Sequence, residues 1–384
     1  MISLNDSIAH GTCVRHRQRQ APGPTISSGD TIETQEFSLK ALKHLLTGVV
    51  LSCVTLLSHA SLAIPAYSSL VVFGDSLSDS GNNSLHPLIG SAPLQIISGN
   101  GYVPAQTYAS GTYSNGPVWA TQFASMLGLS AGPSLAGGTN YAYGGAVTGV
   151  DQILHPSFPQ FPLPGLKTQA NTFLAAPGPV DISSALFVVA GGGNNARATF
   201  ASQLTQTNTF SLLTAVTNAA DAYANDVGTI VDQLQAGGAQ NIIVWNTPDL
   251  GLAPAIKQFS TTGTFLSGSQ LGSLVSTTNN GALDLRLAGE AGVQVFDLYG
   301  LVALASANGF TNTTDACGAA ANSEVCPNIA TALFWDGIHP TTAAHGLIAQ
   351  QMFALTAPVP EPSTYAMLFV GLLVITSVVR RRSN

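Results

Sequence analysis

The stretch Ser69-Leu70-Val71-Val72-Phe73-Gly74-Asp75-Ser76-Leu77 decides the fold. Its first five residues are almost wholly apolar and show none of the polar alternation of a half-exposed strand. They predict a strand buried on both faces, ending at a glycine and a polar turn. Ala185–Ala190, Asn241–Trp245 and Val293–Asp297 repeat the pattern downstream. Between them, 218–236 and 268–291 read as helices. Buried strands alternating with helices predict a three-layer α/β/α sandwich around a central parallel sheet. Active sites in such sheets lie beyond the carboxyl ends of the strands. Residues 199–217, rich in Thr, Ser and Gln, read as a surface excursion.

Composition narrows the function. Of 384 residues, 45% are hydrophobic and only 8% charged, with a net charge of −7. So little charge excludes a disordered solvating chain and a nucleic-acid binder, which needs clustered Lys and Arg. No apolar run reaches the ~20 residues of a spanning helix, which argues against a polytopic membrane protein. Between 64 and 358 only Lys167, Arg197, Lys257 and Arg286 are basic, against fourteen acidic side chains. That excess favours solubility and gives no reason to expect anionic partners.

The ends read as addresses. Lys40 and Lys43 precede an apolar run, Leu45–Leu57, and then Ser61-Leu62-Ala63, so 40–63 is expected to be a secretory signal peptide. Residues 1–39 are expected to be a disordered extension or the product of a mis-assigned start. At the other end stand Val359-Pro360-Glu361-Pro362-Ser363, an apolar run from Tyr365 to Val379, and Arg380-Arg381-Arg382. Fifteen helical residues at ~1.5 Å each reach about 22 Å, short of the ~30 Å hydrocarbon core, though arginine snorkelling assists. Residues 358–384 resemble the PEP-CTERM sorting signal of Gram-negative bacteria. The resemblance implies export across the inner membrane, transient membrane anchoring by the C-terminal helix, and tail removal by an exosortase. Delivery to the cell surface or extracellular matrix follows. Cys317 and Cys326 then meet an oxidising compartment and are expected to pair as a loop disulfide, two free thiols being the alternative.

Two segments of the intervening domain, 64–357, carry chemistry. Ser76 follows the first strand at a sharp turn, where a hydroxyl is exposed to attack. The turn is not a Gly-x-Ser-x-Gly elbow, since Leu77-Ser78 follows. Near the other end, Phe334-Trp335-Asp336-Gly337-Ile338-His339-Pro340 sets aspartate and histidine three apart between Gly and Pro. A carboxylate holding one imidazole nitrogen leaves the other free to take a serine proton. His345 reads as a helix-surface residue, and His86 and His155 as loop residues. Gly191-Gly192-Gly193 lacks the Gly-Lys-Ser/Thr of a phosphate cradle, and Asp75 with Asp79 lacks the rest of a calcium loop.

These segments resemble the GDSL or SGNH family of serine esterases and lipases, from about Leu70 to Ala354. The resemblance rests on four blocks: Gly74-Asp75-Ser76-Leu77; Gly138-Thr139-Asn140-Tyr141-Ala142-Tyr143-Gly144-Gly145-Ala146; Val189-Ala190-Gly191-Gly192-Gly193-Asn194-Asn195; and Asp336 with His339. It implies a flavodoxin-like SGNH-hydrolase fold with Ser76 as nucleophile, His339 as base and Asp336 as its orienting acid. The implied oxyanion hole is the Ser76 amide, Gly145 (or Gly144 in a shifted register) and Asn194. Asn195 departs from the family's usual Asp, for which tuning rather than loss of activity is expected. Gly111–Gly116 with Trp119, and Asn246–Gly251, are similar to the lipase-type branch.

The resemblance implies ester hydrolysis through an acyl-enzyme, with no metal or organic cofactor. The expected substrate is a lipid or an acylated saccharide. Processing partners are an exosortase and a signal peptidase, and no nucleic acid is involved. An exopolysaccharide O-deacetylase, an acyltransferase, or a non-catalytic matrix or adhesion protein are the alternatives.

Overall fold

Parallel pairing of four short apolar strands organises the domain. β1 (Leu70–Gly74), β2 (Leu186–Ala190), β3 (Asn241–Trp245) and β4 (Val293–Phe296) form one sheet in that order. In the computed structural model, residues 67–94, 99–154, 156–259, 266–318, 326–356, 371–373 and 375–381 are described. The chain divides into two units, Met1–Ser61 and Leu62–Asn384. The signal-peptide and extension readings, and the Pro-Glu-Pro motif, lie outside the described residues. In the tail, 371–373 and 375–381 are helical. Among the described residues no helix is long and apolar enough to cross a membrane. The tail as described therefore does not supply the transmembrane helix expected of it, in keeping with a run that reaches only about 22 Å.

Six helices of eight or more residues occur among the described residues. They are α1 (Trp119–Met126), α2 (Leu166–Ala175), α3 (Gly193–Gln203), α4 (Thr209–Ala236), α5 (Gly268–Leu287) and α6 (Thr342–Leu355). Successive strand side chains point to opposite faces. Val71, Phe73, Phe187, Val189, Ile242 and Val244 pack with α2, α4 and α5. Leu70, Val72, Leu186, Val188, Ile243 and Trp245 pack with α1 and α6. Both faces are apolar because both are covered, which is why the strands do not alternate. The architecture is the expected three-layer α/β sandwich.

The free edge of β1 is covered by residues 139–143. Val72 N–H donates to Thr139 O (3.1 Å), Tyr141 N–H to Val72 O (2.7 Å) and Tyr143 N–H to Gly74 O (3.2 Å). The second motif block thus lies beside the first, at the end of the strand that leads to Ser76.

Two expectations are corrected and one element is new. Residues 199–217 are not a surface excursion: α3 runs to Gln203, and α4 starts at Thr209 with Asn208 Oδ1 accepting from Ser211 N–H (3.0 Å). Phe200, Leu212 and Val216 are buried against Leu271 and Val275 of α5, while Phe210 and Leu213 remain exposed. Sparse apolar residues at helical spacing suffice when one narrow stripe is buried. Secondly, β4 is not buried throughout. Gln294 and Val295 are exposed, because β4 is the edge of the sheet. Thirdly, a small parallel pair, β5 (Asn312–Ala316) with β6 (Ala332–Phe334), lies outside the main sheet. Cys317, joined to Cys326 by a disulfide, continues this pair, its N–H donating to Phe334 O (2.8 Å).

The turn after β1 is built on buried polar groups. Asp75 Oδ1 accepts from Leu77 N–H (3.0 Å). Asp79 Oδ1 accepts from the N–H groups of Gly81 (2.9 Å) and Asn82 (2.7 Å), and Oδ2 from those of Asn83 (3.2 Å) and Gly144 (3.0 Å). Gln169 of α2 closes the strand end: its Oε1 accepts from Gly74 N–H (2.8 Å) and its Nε2 donates to Gly74 O (2.9 Å).

Two outcomes are expected. Gln169→Met leaves the Gly74 N–H buried without a partner and costs roughly 1–3 kcal/mol, read by denaturant unfolding; unchanged stability would show that water replaces the amide. Burial pushes the Asp75 and Asp79 carboxyls up to about 6, against the pull of their backbone donors. A carboxyl whose folded pKa exceeds its unfolded value, about 3.9, stabilises the fold only while protonated. That contribution is full below about 4 and is lost as pH rises through about 6. The melting temperature should therefore fall between pH 5 and pH 8; a flat or rising profile would mean the backbone donors keep both ionised.

Candidate active site

Ser76 and the Asp336–His339 loop come from opposite ends of the domain and meet beyond the carboxyl end of the sheet. His339 Nε2 lies 2.8 Å from Ser76 Oγ, and His339 Nδ1 lies 2.6 Å from Asp336 Oδ2. All three side chains are buried. The loop is folded on its own aspartate, as Asp336 Oδ1 accepts from the N–H groups of Ile338 (2.8 Å) and His339 (2.7 Å). Thr341 then caps α6, accepting from Ala344 N–H (3.2 Å), and its hydroxyl donates to Ala332 O of β6 (2.6 Å). Chemically, the arrangement can pass a proton from a serine hydroxyl to an imidazole whose far nitrogen is held by a carboxylate.

Two tyrosines complete the surroundings, and sequence reasoning gave neither a role. Tyr108 O–H donates to Asp336 Oδ2 (2.7 Å). Burial and the Asp336 charge push the Tyr108 phenol well above the usual tyrosine value, so it remains a donor. The Tyr113 ring lies against that of His339, with centroids 5.3 Å apart. Asn83 Nδ2 donates to Tyr113 Oη (2.6 Å) and to Gly144 O (2.9 Å).

The oxyanion candidates differ in how fully their donors are engaged. Among the described residues, neither Ser76 N–H nor Gly145 N–H donates to a protein acceptor. Gly144 N–H, by contrast, is given to Asp79. Gly144 has a packing duty: a Cβ there would sit 2.0 Å from the Tyr113 ring. Gly145 adopts φ +91°, a conformation that suits glycine. Asn194 stands in the first turn of α3, its Nδ2 donating to Ala146 O (2.9 Å), which leaves one amide proton over.

The neighbouring Asn195 ties two loops. Its Oδ1 accepts from Thr148 N–H (3.1 Å) and its Nδ2 donates to Thr148 Oγ1 (2.9 Å). Thr148 passes its own proton to Asp226 Oδ2 (3.0 Å), and Asp226 pairs with Lys167.

The lipase-like stretches are braces. Ser114 Oγ donates to Pro340 O (2.8 Å), and Asn115 Oδ1 accepts from Thr342 N–H (2.8 Å), which fixes the start of α6 beside the histidine loop. Trp119 is buried, with Nε1 donating to Ser78 Oγ (3.1 Å). Asp249 accepts from Ser273 Oγ (2.6 Å) and so joins the end of β3 to α5.

His345 is not on the helix surface. It is fully buried, and burial, with the His339 charge adding, pushes its imidazole down to about 3. His86 is a buried loop residue packed on Tyr143 and Phe161, and His155 lies outside the described residues. A further side chain of the cleft belongs to no motif. Arg197, one helical turn beyond Asn194, lines the cleft with Ser76 and His339. Its signal was position: it is one of only four basic residues in the domain, three residues after an oxyanion candidate.

A family model described as GDSL-like lipase/acylhydrolase matches residues 70–352, and one for the PEP-CTERM protein-sorting motif matches 358–383. That motif indicates export and sorting to the cell surface in Gram-negative bacteria, with processing by an exosortase. An uncharacterized protein in the trpE-trpG intergenic region of Pseudomonas putida is 30% identical over 348 residues, 83% of this chain and 52% of that protein. The chain thus spans about half the length of this relative. The GDSL esterase/lipase APG of Arabidopsis thaliana is 26% identical over 350 residues, 77% of this chain and 94% of that one. Lipase 1 of Photorhabdus luminescens is 29% identical over 194 residues, 50% of this chain and 24% of that one. Among solved structures, a possible lipase from Chitinophaga pinensis is 12% identical with a TM-score of 0.37, covering 75% of this chain and 96% of that one. The family match reaches from the first strand of the sheet into its last helix, and the chain belongs to the GDSL-like lipase/acylhydrolase family.

Proposed function

We propose that the protein is an exported serine hydrolase that cleaves carboxylic esters through an acyl-enzyme. The observation that carries this reading is the unbroken hydrogen-bond line from Ser76 Oγ through His339 to Asp336. In the proposed mechanism Ser76 attacks the ester carbonyl while His339 Nε2 takes its proton. Asp336, held by Tyr108 and two backbone N–H groups, keeps Nδ1 protonated and stabilises the imidazolium. The developing oxyanion is met by the N–H groups of Ser76 and Gly145 and by the Asn194 amide. The free state of the first two N–H groups supports this assignment. His339 returns the proton to the leaving alcohol, and water, activated by the same imidazole, releases the acid.

The proposed hydrolase domain spans 64–357, between a signal peptide at 40–63 removed by signal peptidase and a sorting tail at 358–384. A neighbouring cleft of about 590 Å³ is lined by Phe200, Leu204, Ile256, Phe259 and Ile338, and it shares Gly145 and Asn194 with the site. Such an apolar volume accommodates an acyl chain much longer than acetyl, which favours an esterase or lipase over an O-deacetylase.

Ser76→Ala should abolish labelling by a fluorophosphonate and lower kcat on p-nitrophenyl butyrate roughly 10⁴-fold or more. A variant as active as the parent would return the protein to the non-catalytic matrix reading. Asn194→Ala should lower kcat about 10²–10³-fold with a much smaller change in KM. A fall confined to KM would remove Asn194 from the oxyanion hole.

A further inference from the structure

We propose that Arg197 forms an anion subsite, so that the preferred esters carry a phosphate or carboxylate close to the scissile carbonyl. The inference rests on the hydrolase reading above and names the substrate class of that same site.

The four basic side chains of the domain have different fates. Lys167 pairs with Asp226, and Arg286 pairs with Asp232 (2.5 Å) and Glu290 (3.0 Å). Lys257 is exposed at the end of a short helical turn. Arg197 is half-buried in α3, yet among the described residues its side chain has neither an ion pair nor a hydrogen bond. Its nearest influences are the charges of Asp75 and Asp336. Those carboxylates serve the turn and the histidine loop through their own hydrogen bonds. Five guanidinium donors are therefore left over in a partly desolvated place, where unpaired polar groups are costly.

The place is the reaction site. Arg197 lines the cleft of about 160 Å³ that holds Ser76, His339, Gly145 and Asn194. It also lines the larger apolar cleft beside it. In both linings it is the sole Lys, Arg, Asp or Glu, whereas a further cavity of about 90 Å³ that shares Ser76, Asn194, Arg197 and His339 is lined also by Asp75 and Asp249. A half-buried guanidinium with no hydrogen-bonded protein partner, at the junction of a catalytic cleft and an apolar one, matches an amphiphile. The apolar chain enters one cleft, while a planar or tetrahedral oxyanion meets the fork of N–H donors. The acidic excess elsewhere on the domain repels anions at long range, so recognition depends on this contact rather than on steering.

The test compares matched esters on the full chain. One pair is 1-lauroylglycerol and its 3-phosphate, with the anion on the alcohol. The other is p-nitrophenyl butyrate and the p-nitrophenyl half-ester of succinic acid, with the anion on the acyl group. The parent protein should favour the anionic member of at least one pair tenfold or more in kcat/KM, and the pair identifies which side carries the anion. Arg197→Gln should bring that ratio close to unity. Arg197→Lys, which keeps the charge but not the fork, should retain part of it. A parent ratio at or below unity in both pairs, or a ratio that survives Arg197→Gln, overturns the inference. An equal loss on neutral and anionic members in both variants would instead make Arg197 a structural counter-charge for Asp75. Turnover of the neutral esters together with fluorophosphonate labelling tells these outcomes apart from failure of the hydrolase reading, in which both would be missing.

Discussion

One buried carboxylate holds the site together. Asp79 accepts four backbone N–H groups, three from its own turn and one from Gly144, 65 residues away in sequence. The turn that presents Ser76 and the glycine pair beside β1 are thereby fixed to one another. The Ser76 turn has only the single helical turn Asn82–Leu85 of its own here, and 139–143 has no helix or strand. The sheet ends at Gly74, and residues 139–143 only run alongside it. Both oxygens of Asp79 face donors, so an amide in its place would set an N–H₂ against N–H groups. Desolvation of the carboxylate is the cost of this arrangement, and four hydrogen bonds oppose it.

The histidine loop is held by a different means. It leaves β6, folds back on Asp336 and enters α6 at Thr341. Its outer side rests on β5 and the Cys317–Cys326 link, and its inner side on Ser114, Asn115 and Tyr108. Pre-organisation of this kind limits the movement a base needs before it can act. The two halves of the site are thus separately braced and meet at the 2.8 Å contact of Ser76 with His339, beside the Tyr113 ring that Asn83 holds against the imidazole.

Much of this was legible in the sequence because the signals were local. Runs such as Leu70–Phe73 and Leu186–Val189 are apolar at every position, and only a sheet covered on both faces requires that. Ser76, Asp336 and His339 stood out for their turn chemistry, and the structure brings them within hydrogen-bond reach of one another. What escaped was set by partners far along the chain. Residues 199–217 looked like a loop because their buried stripe is only Phe200, Leu212 and Val216 wide. His345 looked exposed because nothing near it in sequence reveals that α6 is packed there. Tyr108 and Arg197 carry no motif, and their surroundings come from chain closures of more than a hundred residues, 228 for Tyr108 with Asp336, that no spacing rule can see.

The Asn195–Thr148–Asp226 chain links two positions that never touch. A hydroxyl has one proton, and Thr148 gives it to Asp226, so residue 195 must approach that oxygen as a giver. An acid at 195 would put two carboxylates in competition for a single hydrogen, with Lys167 left to neutralise both. An Asp at 195 would keep the bond from Thr148 N–H but lose the one to Thr148 Oγ1, so an amide at 195 suits a chain that ends on the carboxylate of residue 226, on α4.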